Sequence, residues 1–301
     1  MALRKKEKKA AFLFLAPSLV LYLLYVILPI FHTGYISLTD WDGITGNPLP
    51  ICVTAPSFSC FENYIELFED DVFWTSLKNN IIWLFFFSLS PFLGLGLALF
   101  FHVKSPVTTI YKSLIFMPMV LSLVVVGLVW GWFLQPEFGL VEFLLKKFNL
   151  LDLDSQMTIM ASFTWATAGL IIAASWPHAA YCMILYLAGL SNLKKNVLEA
   201  AAIDGAQGFR MFWHIVLPML KPATVIVVIV TMIGALRTFE LVSIMTDGGP
   251  ANSSNVLANY MYQQTFRSFR YGYGAAIAIV LFFSSLVLIV GYLRQTQKTE
   301  F

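Results

Sequence analysis

Six long apolar runs, separated by polar stretches, set the pattern of this chain. They fall at about 11–37, 77–103, 112–134, 158–188, 220–245 and 272–293. Each exceeds the roughly 18 residues that a helix needs to cross about 30 Å of hydrocarbon. The runs are continuous and do not alternate, which predicts helices and not barrel strands. The expected fold is an all-α membrane protein with six transmembrane helices. Pro17 and Pro29 lie inside the first run, and membrane helices tolerate such breaks. Arg4, Lys5, Lys6, Lys8 and Lys9 precede that run. No small-x-small cleavage site follows, so it reads as a retained span and not a signal peptide.

The distribution of charge orients the spans. Only 12% of the 301 residues are charged and 58% are hydrophobic, against about 25% charged in soluble domains. With the N-terminus inside, thirteen of the 19 lysines and arginines fall on inner segments and six on the outer side. That bias places both termini in the cytoplasm. The boundaries that follow are a basic cytoplasmic N-terminus (1–10), a first transmembrane helix (11–37) and an acidic external loop (38–74). A five-helix core (75–293) and a cytoplasmic tail (294–301) complete the chain. The net charge of +2 and the lack of a basic stripe with interleaved aromatics exclude a nucleic-acid partner. Three cysteines without a C-x-x-C spacing give no metal or redox site. Cys52 and Cys60 lie in the external loop; in an oxidising compartment they are either a disulfide closing a small loop or two free thiols. No G-x-x-x-x-G-K-[ST] occurs, so ATP hydrolysis belongs elsewhere. No catalytic nucleophile and base are placed together, and His32, His102, His178 and His214 read as interfacial or packing residues. The lack of an internal repeat disfavours an inverted-repeat carrier.

One polar island stands out between the fourth and fifth runs, at about 190–220. Lys194 to Ile203 is rich in helix formers. Gly205 and Gly208 interrupt it. A second short helix is expected over Phe209 to Val216, closed by Leu217-Pro218. This predicts a helix, a turn and a helix on a membrane surface, with Ala200, Ala201, Ala202, Gly205 and Ala206 open to close approach. The run Glu199-Ala-Ala-Ala-Ile-Asp-Gly-Ala206, followed by Ile215-Val216-Leu217-Pro218, resembles the coupling loop of importer-type ABC transporter permeases. The resemblance implies that this cytoplasmic loop docks in a cleft of an ATP-binding subunit. Glu199 would meet a cation there, Gly205 would set the interhelix angle, and Ala200 and Ala201 would seat closely. Asp204 either meets the partner or caps the turn or the second helix.

A second stretch, Thr246-Asp247-Gly248-Gly249-Pro250, reads as a tight external turn. It resembles an element of one permease subunit of maltose- and glycerol-phosphate-type sugar importers. Ser37-Leu38-Thr39-Asp40-Trp41, Phe116-Met117-Pro118, Phe138-Gly139-Leu140 and Ile184 to Leu190 agree, so the resemblance covers about 11–293. The insertion Gly46 to Cys60 has no counterpart in it.

The family implies a permease subunit of an ATP-driven, binding-protein-dependent importer of a sugar or sugar-like solute, in the bacterial inner membrane. Its implied partners are a second, homologous permease, two ATP-binding subunits, an extracytoplasmic solute-binding protein and the lipid bilayer. The chain itself would need no cofactor, ATP and Mg being bound by the partner ATPase. Thr246, Gly248, Gly249 and Pro250 would either face the binding protein or only shape the helix exit. Ionisable residues within spans are costly and therefore suggestive, so Arg237, Thr238 and Glu240 become solute-path candidates, with Asn80 and Tyr181 beside them. Arg237 and Glu240, three apart, could instead form an intrahelical pair. A stand-alone carrier or channel, with a decorative Glu199 loop, is the alternative. A membrane enzyme is disfavoured by the few internal carboxylates, Glu7, Glu199, Asp204 and Glu300.

Overall fold

The computed structural model describes residues 2–44, 49–54, 60–102, 105–135, 138–149, 160, 162–163 and 165–298. Side chains are described from residue 12 onward, except those of 52, 54, 107, 297 and 298. Helices dominate, and among the described residues the only β pairing is an isolated bridge between Thr39 and Pro50. Five helices are long and apolar enough to span a membrane: Phe12–Ile36 (α1), Asp71–Phe101 (α3), Ala166–Ser191 (α6), Lys221–Met245 and Tyr271–Thr296. A sixth candidate is the pair Thr108–Val120 (α4) and Leu123–Phe133 (α5), bent by 98°. The short helix Glu62–Glu69 (α2) lies ahead of α3. The expected external loop of 38–74 is therefore partly helical, and α3 starts at Asp71, earlier than the apolar run suggests.

The chain divides into two compact units: 1–70 with 261–283, and 71–260 with 284–301. In the first, α1 exposes nearly all of its apolar side chains, as a helix facing lipid should. A five-residue π-turn, Leu23–Ile27, precedes Pro29. The turn shifts the hydrogen-bond register so that the proline, which has no N–H, enters the next helical segment in its first turn. The end of α1 is held by Asn63 of α2. Its buried amide donates to the carbonyls of Ser37 (2.9 Å) and Thr39 (2.8 Å). Gly272 passes so close that a Cβ there would lie 1.8 Å from the Thr39 carbonyl oxygen. Tyr273 donates to Asp70 at 2.7 Å. Arg270 pairs with Glu66 and lies 4.3 Å over the Tyr273 ring.

In the second unit α6 is the central helix. It packs against α3, α4, α5 and the helix Lys221–Leu236 (α7). Small residues allow the close approach that membrane helices use in place of a hydrophobic driving force. A Cβ on Gly94 would lie 2.4 Å from the Cβ of Cys182, and one on Gly189 would lie 2.9 Å from that of Ala223. Trp83, Phe87, Val126, Leu170, Leu241 and Val242 fill one core cluster; Ala98, Phe101, Met183, Tyr186 and Val227 fill another.

Two expected spans are interrupted. The run 112–134 breaks at Leu121, whose extended backbone (ψ 141) leads into Ser122, the N-cap of α5. The run 220–245 breaks after Leu236, and Glu240–Met245 (α8) resumes beyond it. The halves α5 and α8 pack on each other at Gly127, where a Cβ would sit 3.3 Å from Ile244 and Leu241.

Neighbouring asparagines on α3 secure the loop that follows α8. Asn79 donates to the carbonyls of Ser253 (2.7 Å) and Asn255 (2.8 Å). Asn80 accepts from the N–H of Leu257 at 2.9 Å. Replacing Asn79 by Leu strands two carbonyls and should destabilise the unit by about 2 to 4 kcal/mol. Thermal unfolding of the purified protein checks this: an unchanged midpoint rejects the clamp.

Candidate functional site

The polar island folds as helix Lys195–Ile203 (α9), a turn, and a short helix Gly208–Met211 (α10). The end of α9 is a Schellman closure. Gly205 N–H donates to Ala202 O (3.1 Å), Ala206 N–H donates to Ala201 O (2.9 Å), and Gly205 has φ +83. Gly208 is also left-handed, at φ +51. A Cβ at Gly205 would meet nothing, so glycine is required there by backbone conformation alone. The expected stop at Pro218 does not occur. A π-turn, Phe212–Val216, comes first, so Pro218 enters the next segment in its first turn, and the chain runs on through Leu217–Met219 to α7.

Glu199, Ala200, Asp204 and Gly205 are exposed, whereas Ala201 faces inward at 8% exposure. Asp204 is the C-cap residue of α9, and only its backbone N–H takes part in the turn; Gln207 is the N-cap of α10, without a side-chain bond. Neither expected capping role of Asp204 is present. Three apolar side chains that sequence reasoning passed over project from the same segment. Ile203 is 87% and Phe209 77% exposed, and Trp213 stacks on Phe209 with ring centroids 5.9 Å apart. The i, i+4 spacing of Phe209 and Trp213 was the available signal.

At the two helix breaks lies a cavity of about 340 Å³. Arg237, Thr238, Glu240 and Tyr181 line it together, with His178 and Phe87 among the other walls. Arg237 and Glu240 belong to different helical segments and form no intrahelical pair. Thr238 donates to Gly234 O at 3.0 Å, which closes the frayed end of α7. His178 was expected only to pack. Its Nε2 lies 2.8 Å from Thr231 Oγ1, and its ring lies 4.4 Å from Phe87 and 6.0 Å from Tyr181. Asn80 is set apart from this group: it is 2% exposed and committed to the Leu257 backbone.

The 246–250 turn is held from within. Thr246 Oγ1 donates to Val242 O and accepts from Gly248 N–H. Ser254 Oγ donates to Gly249 O at 2.6 Å. Asp247 (φ +50) and Gly248 (φ +85) are left-handed, and a Cβ on Gly248 would come within 2.8 Å of Asn255. The Gly249–Pro250 peptide is cis. Thr246 and Gly248 are thus held within the turn, and Asp247 is its exposed member, followed by exposed Ala251. Cys60 is in a disulfide and Cys182 is free; the side chain of Cys52 lies outside the described residues, as do 46–48 and 55–59 of the insertion. Among the described residues no group of three or more His, Cys, Asp or Glu could hold a metal.

Broken spans thus surround a cavity that carries charged and hydroxyl groups, and a helix–turn–helix is exposed. The chain belongs to the family described as binding-protein-dependent transport system inner membrane component, whose model matches residues 90–298. It is similar to a probable ABC transporter permease protein of Pyrococcus horikoshii, at 34% identity over 96% of both chains. It is 32% identical to the sulfoquinovosyl glycerol transport system permease protein of Agrobacterium fabrum, covering 96% of this chain and 90% of that one. Identity with the lactose transport system permease protein of Rhizobium radiobacter is 31%, over 95% and 94% of the two chains. The fold matches a chain of a bacterial ABC transporter involved in import of the acidic polysaccharide alginate, with a TM-score of 0.78, 21% identity and 99% of both chains covered. A second structure of such a transporter, in complex with a periplasmic protein carrying an alginate pentasaccharide, gives 0.79 over 98% of this chain and 96% of that one.

Gly205→Ala should cost about 1 to 2 kcal/mol, through the left-handed backbone alone. Hydrogen exchange of the Gly205 and Ala206 amides should quicken about tenfold while α6 is unaffected. Uniformly unchanged exchange would reject the Schellman assignment.

Proposed function

We propose that this permease forms the path for a sugar or a glycosylated polyol and couples that path to a separate ATPase. The observation that carries the reading is the convergence of Arg237, Thr238, Glu240 and Tyr181 on one cavity at two helix breaks. Aromatic rings suit the C–H faces of a sugar. Phe87, Tyr181 and His178 supply rings, while Arg237, Thr238 and Glu240 supply hydrogen-bonding groups for hydroxyls. The similarity to permeases of sulfoquinovosyl glycerol and lactose transport systems supports this class of solute.

In this reading the helix–turn–helix faces the cytoplasm with both termini, and the 246–250 turn faces outward. A second, homologous permease completes the path, and two ATP-binding subunits bind ATP and Mg. An extracytoplasmic binding protein delivers the solute. ATP-driven closure of the ATPases moves the seated helix α9, whose rigid junction with α10 passes the motion to the spans. Glu199 supplies a carboxylate for a cation on the ATPase, and Ile203 and Phe209 supply exposed apolar surface beside it. ATP binding opens the path outward and hydrolysis resets it inward.

The test is solute-stimulated ATPase activity of the assembled complex, with a panel of sugar-loaded binding proteins. Stimulation by one sugar supports the importer and names its cargo. If no ATPase subunit co-purifies with the folded chain, or uptake survives deletion of 195–208, a stand-alone carrier replaces this reading. Glu199→Lys should abolish stimulation with normal membrane insertion. Glu240→Ala should lower uptake about tenfold or more, the loss expected for a hydrogen bond to a charged group, while the ATPase subunits still co-purify. Wild-type uptake in that variant would remove Glu240 from the path.

A further inference from the structure

Thr231 of α7 is 1% exposed and does not line the cavity at the helix breaks, yet its hydroxyl decides how His178 meets that cavity. Thr231 Oγ1 donates to the Val227 carbonyl, one turn back, at 2.8 Å. A carbonyl only accepts, so the single hydroxyl proton is used there. Thr231 Oγ1 also lies 2.8 Å from His178 Nε2. With no proton left to give, the oxygen accepts, and Nε2 carries the hydrogen; the tautomer follows from the hydrogen-bond network. Among the described residues no carboxylate bonds to this imidazole, and an imidazolium within a span is costly, so the ring is neutral. Its other nitrogen, Nδ1, is therefore a bare acceptor.

No described group donates to Nδ1, and Nδ1 keeps accessible surface, unlike the buried orphan atoms Trp83 Nε1 and Trp130 Nε1. It opens on the cavity that His178 lines. The ring is held in place, with Phe87 stacked against it at 4.4 Å and Thr231 at its Nε2 edge. Other lining groups share this polarity. The Thr238 proton goes to Gly234 O at 3.0 Å, so the Thr238 oxygen can only accept from a solute, and the Glu240 carboxylate only accepts. Arg237 only donates, and Tyr181 does either.

We infer that His178 is a specificity-determining residue that accepts a solute hydroxyl at Nδ1, and that Thr231 is the positioning residue that fixes this polarity. Selection by His178 rests on the cavity being the solute path. The class of solute that fits carries a free hydroxyl on the side facing α6. An ether, an ester or a deoxy carbon there leaves Nδ1 unpaired, and a carboxylate or sulfonate sets lone pair against lone pair. A site built to hydrogen-bond a hydroxyl rejects the analogue that lacks it more sharply than a pocket built on shape. A ring that only packed on Phe87 would be served as well by phenylalanine.

The experiment has a solute-free arm and a transport arm. The first is nitrogen NMR of the assembled transporter, histidine-labelled and in nanodiscs, with the His178 signals assigned by their loss in His178→Asn. Nδ1 should be unprotonated and Nε2 protonated at neutral pH. Thr231→Val should abolish that preference and Thr231→Ser should restore it. An Nδ1–H tautomer or a doubly protonated ring overturns the assigned polarity, whatever the chain carries. The second arm is uptake of lactose, maltose, trehalose and glucosylglycerol, with monodeoxy analogues of whichever is carried. The binding protein also reads hydroxyls, so the quantity compared is the analogue-to-parent ratio in variant and wild type. His178→Phe should lower uptake of the parent about tenfold, the loss of one hydrogen bond, with the ATPase subunits still co-purifying. One monodeoxy analogue should then be carried as well as the parent. His178→Asn, which keeps an acceptor near the Nδ1 position, should retain part of the wild-type discrimination. Equal ratios in wild type and His178→Phe for every analogue mean that His178 only packs. Uptake of none of these solutes by the wild-type complex removes the transport reading and the selection with it, while the tautomer result stands.

Discussion

In hydrocarbon a backbone N–H or C=O has no water to fall back on, and each unpaired group costs several kcal/mol. Among the described residues, four helix interruptions and the loop after α8 are matched by repair. Before Pro29 and Pro218 the repair is a π-turn, which moves the missing donor to a position where no intrahelical bond is needed. At Leu121 it is the Ser122 cap, whose hydroxyl accepts from Val124 N–H. At Leu236 it is Thr238, returning a bond to Gly234 O. The irregular loop after α8 is repaired from outside by Asn79 and Asn80.

Those repairs decide where polar chemistry can exist inside the bundle. An unbroken helix turns its backbone inward on itself and offers a solute only side chains. The two breaks at 121–122 and 237–239 bring irregular backbone to one cavity, the arrangement that transport proteins tolerate because such backbone is buried in protein or lines a water-filled space. Arg237 and Glu240 stand at the break, beside α7 and at the first position of α8, and not within one continuous span. Ionisable residues are costly in a lipid-facing helix and far less so on the wall of a cavity.

The helix–turn–helix answers a different requirement. In the proposed coupling role, this segment has to be stiff where it is touched and firmly joined where it turns. Two left-handed glycines within four residues, with a Schellman closure at the first, fix the path between α9 and α10 without any side-chain bond. The surface left exposed mixes two carboxylates, Glu199 and Asp204, with Ile203, Phe209 and Trp213. A polar rim around protruding apolar anchors is the composition expected of a docking face.

The sequence by itself determined the class of fold, because length and continuity of apolar runs are read directly against bilayer thickness. It also determined the helix–turn–helix, because the need for glycine at positive φ is local. The convergence of Arg237, Thr238, Glu240 and Tyr181 was legible only as separate suspicions. His178 was read as an interfacial or packing residue, and it does pack on Phe87; that it also lines the cavity was not legible, since one histidine on an apolar helix looks alike in either place. Tertiary structure decided the breaks at 121 and 237: Pro118, Arg237 and Glu240 were visible in those runs, but membrane helices tolerate such residues without breaking. It also decided the fate of Asn80 and Ala201. Whether a side chain faces a cavity, a backbone carbonyl or a neighbouring helix depends on partners distant in the chain, and no local pattern encodes that distance.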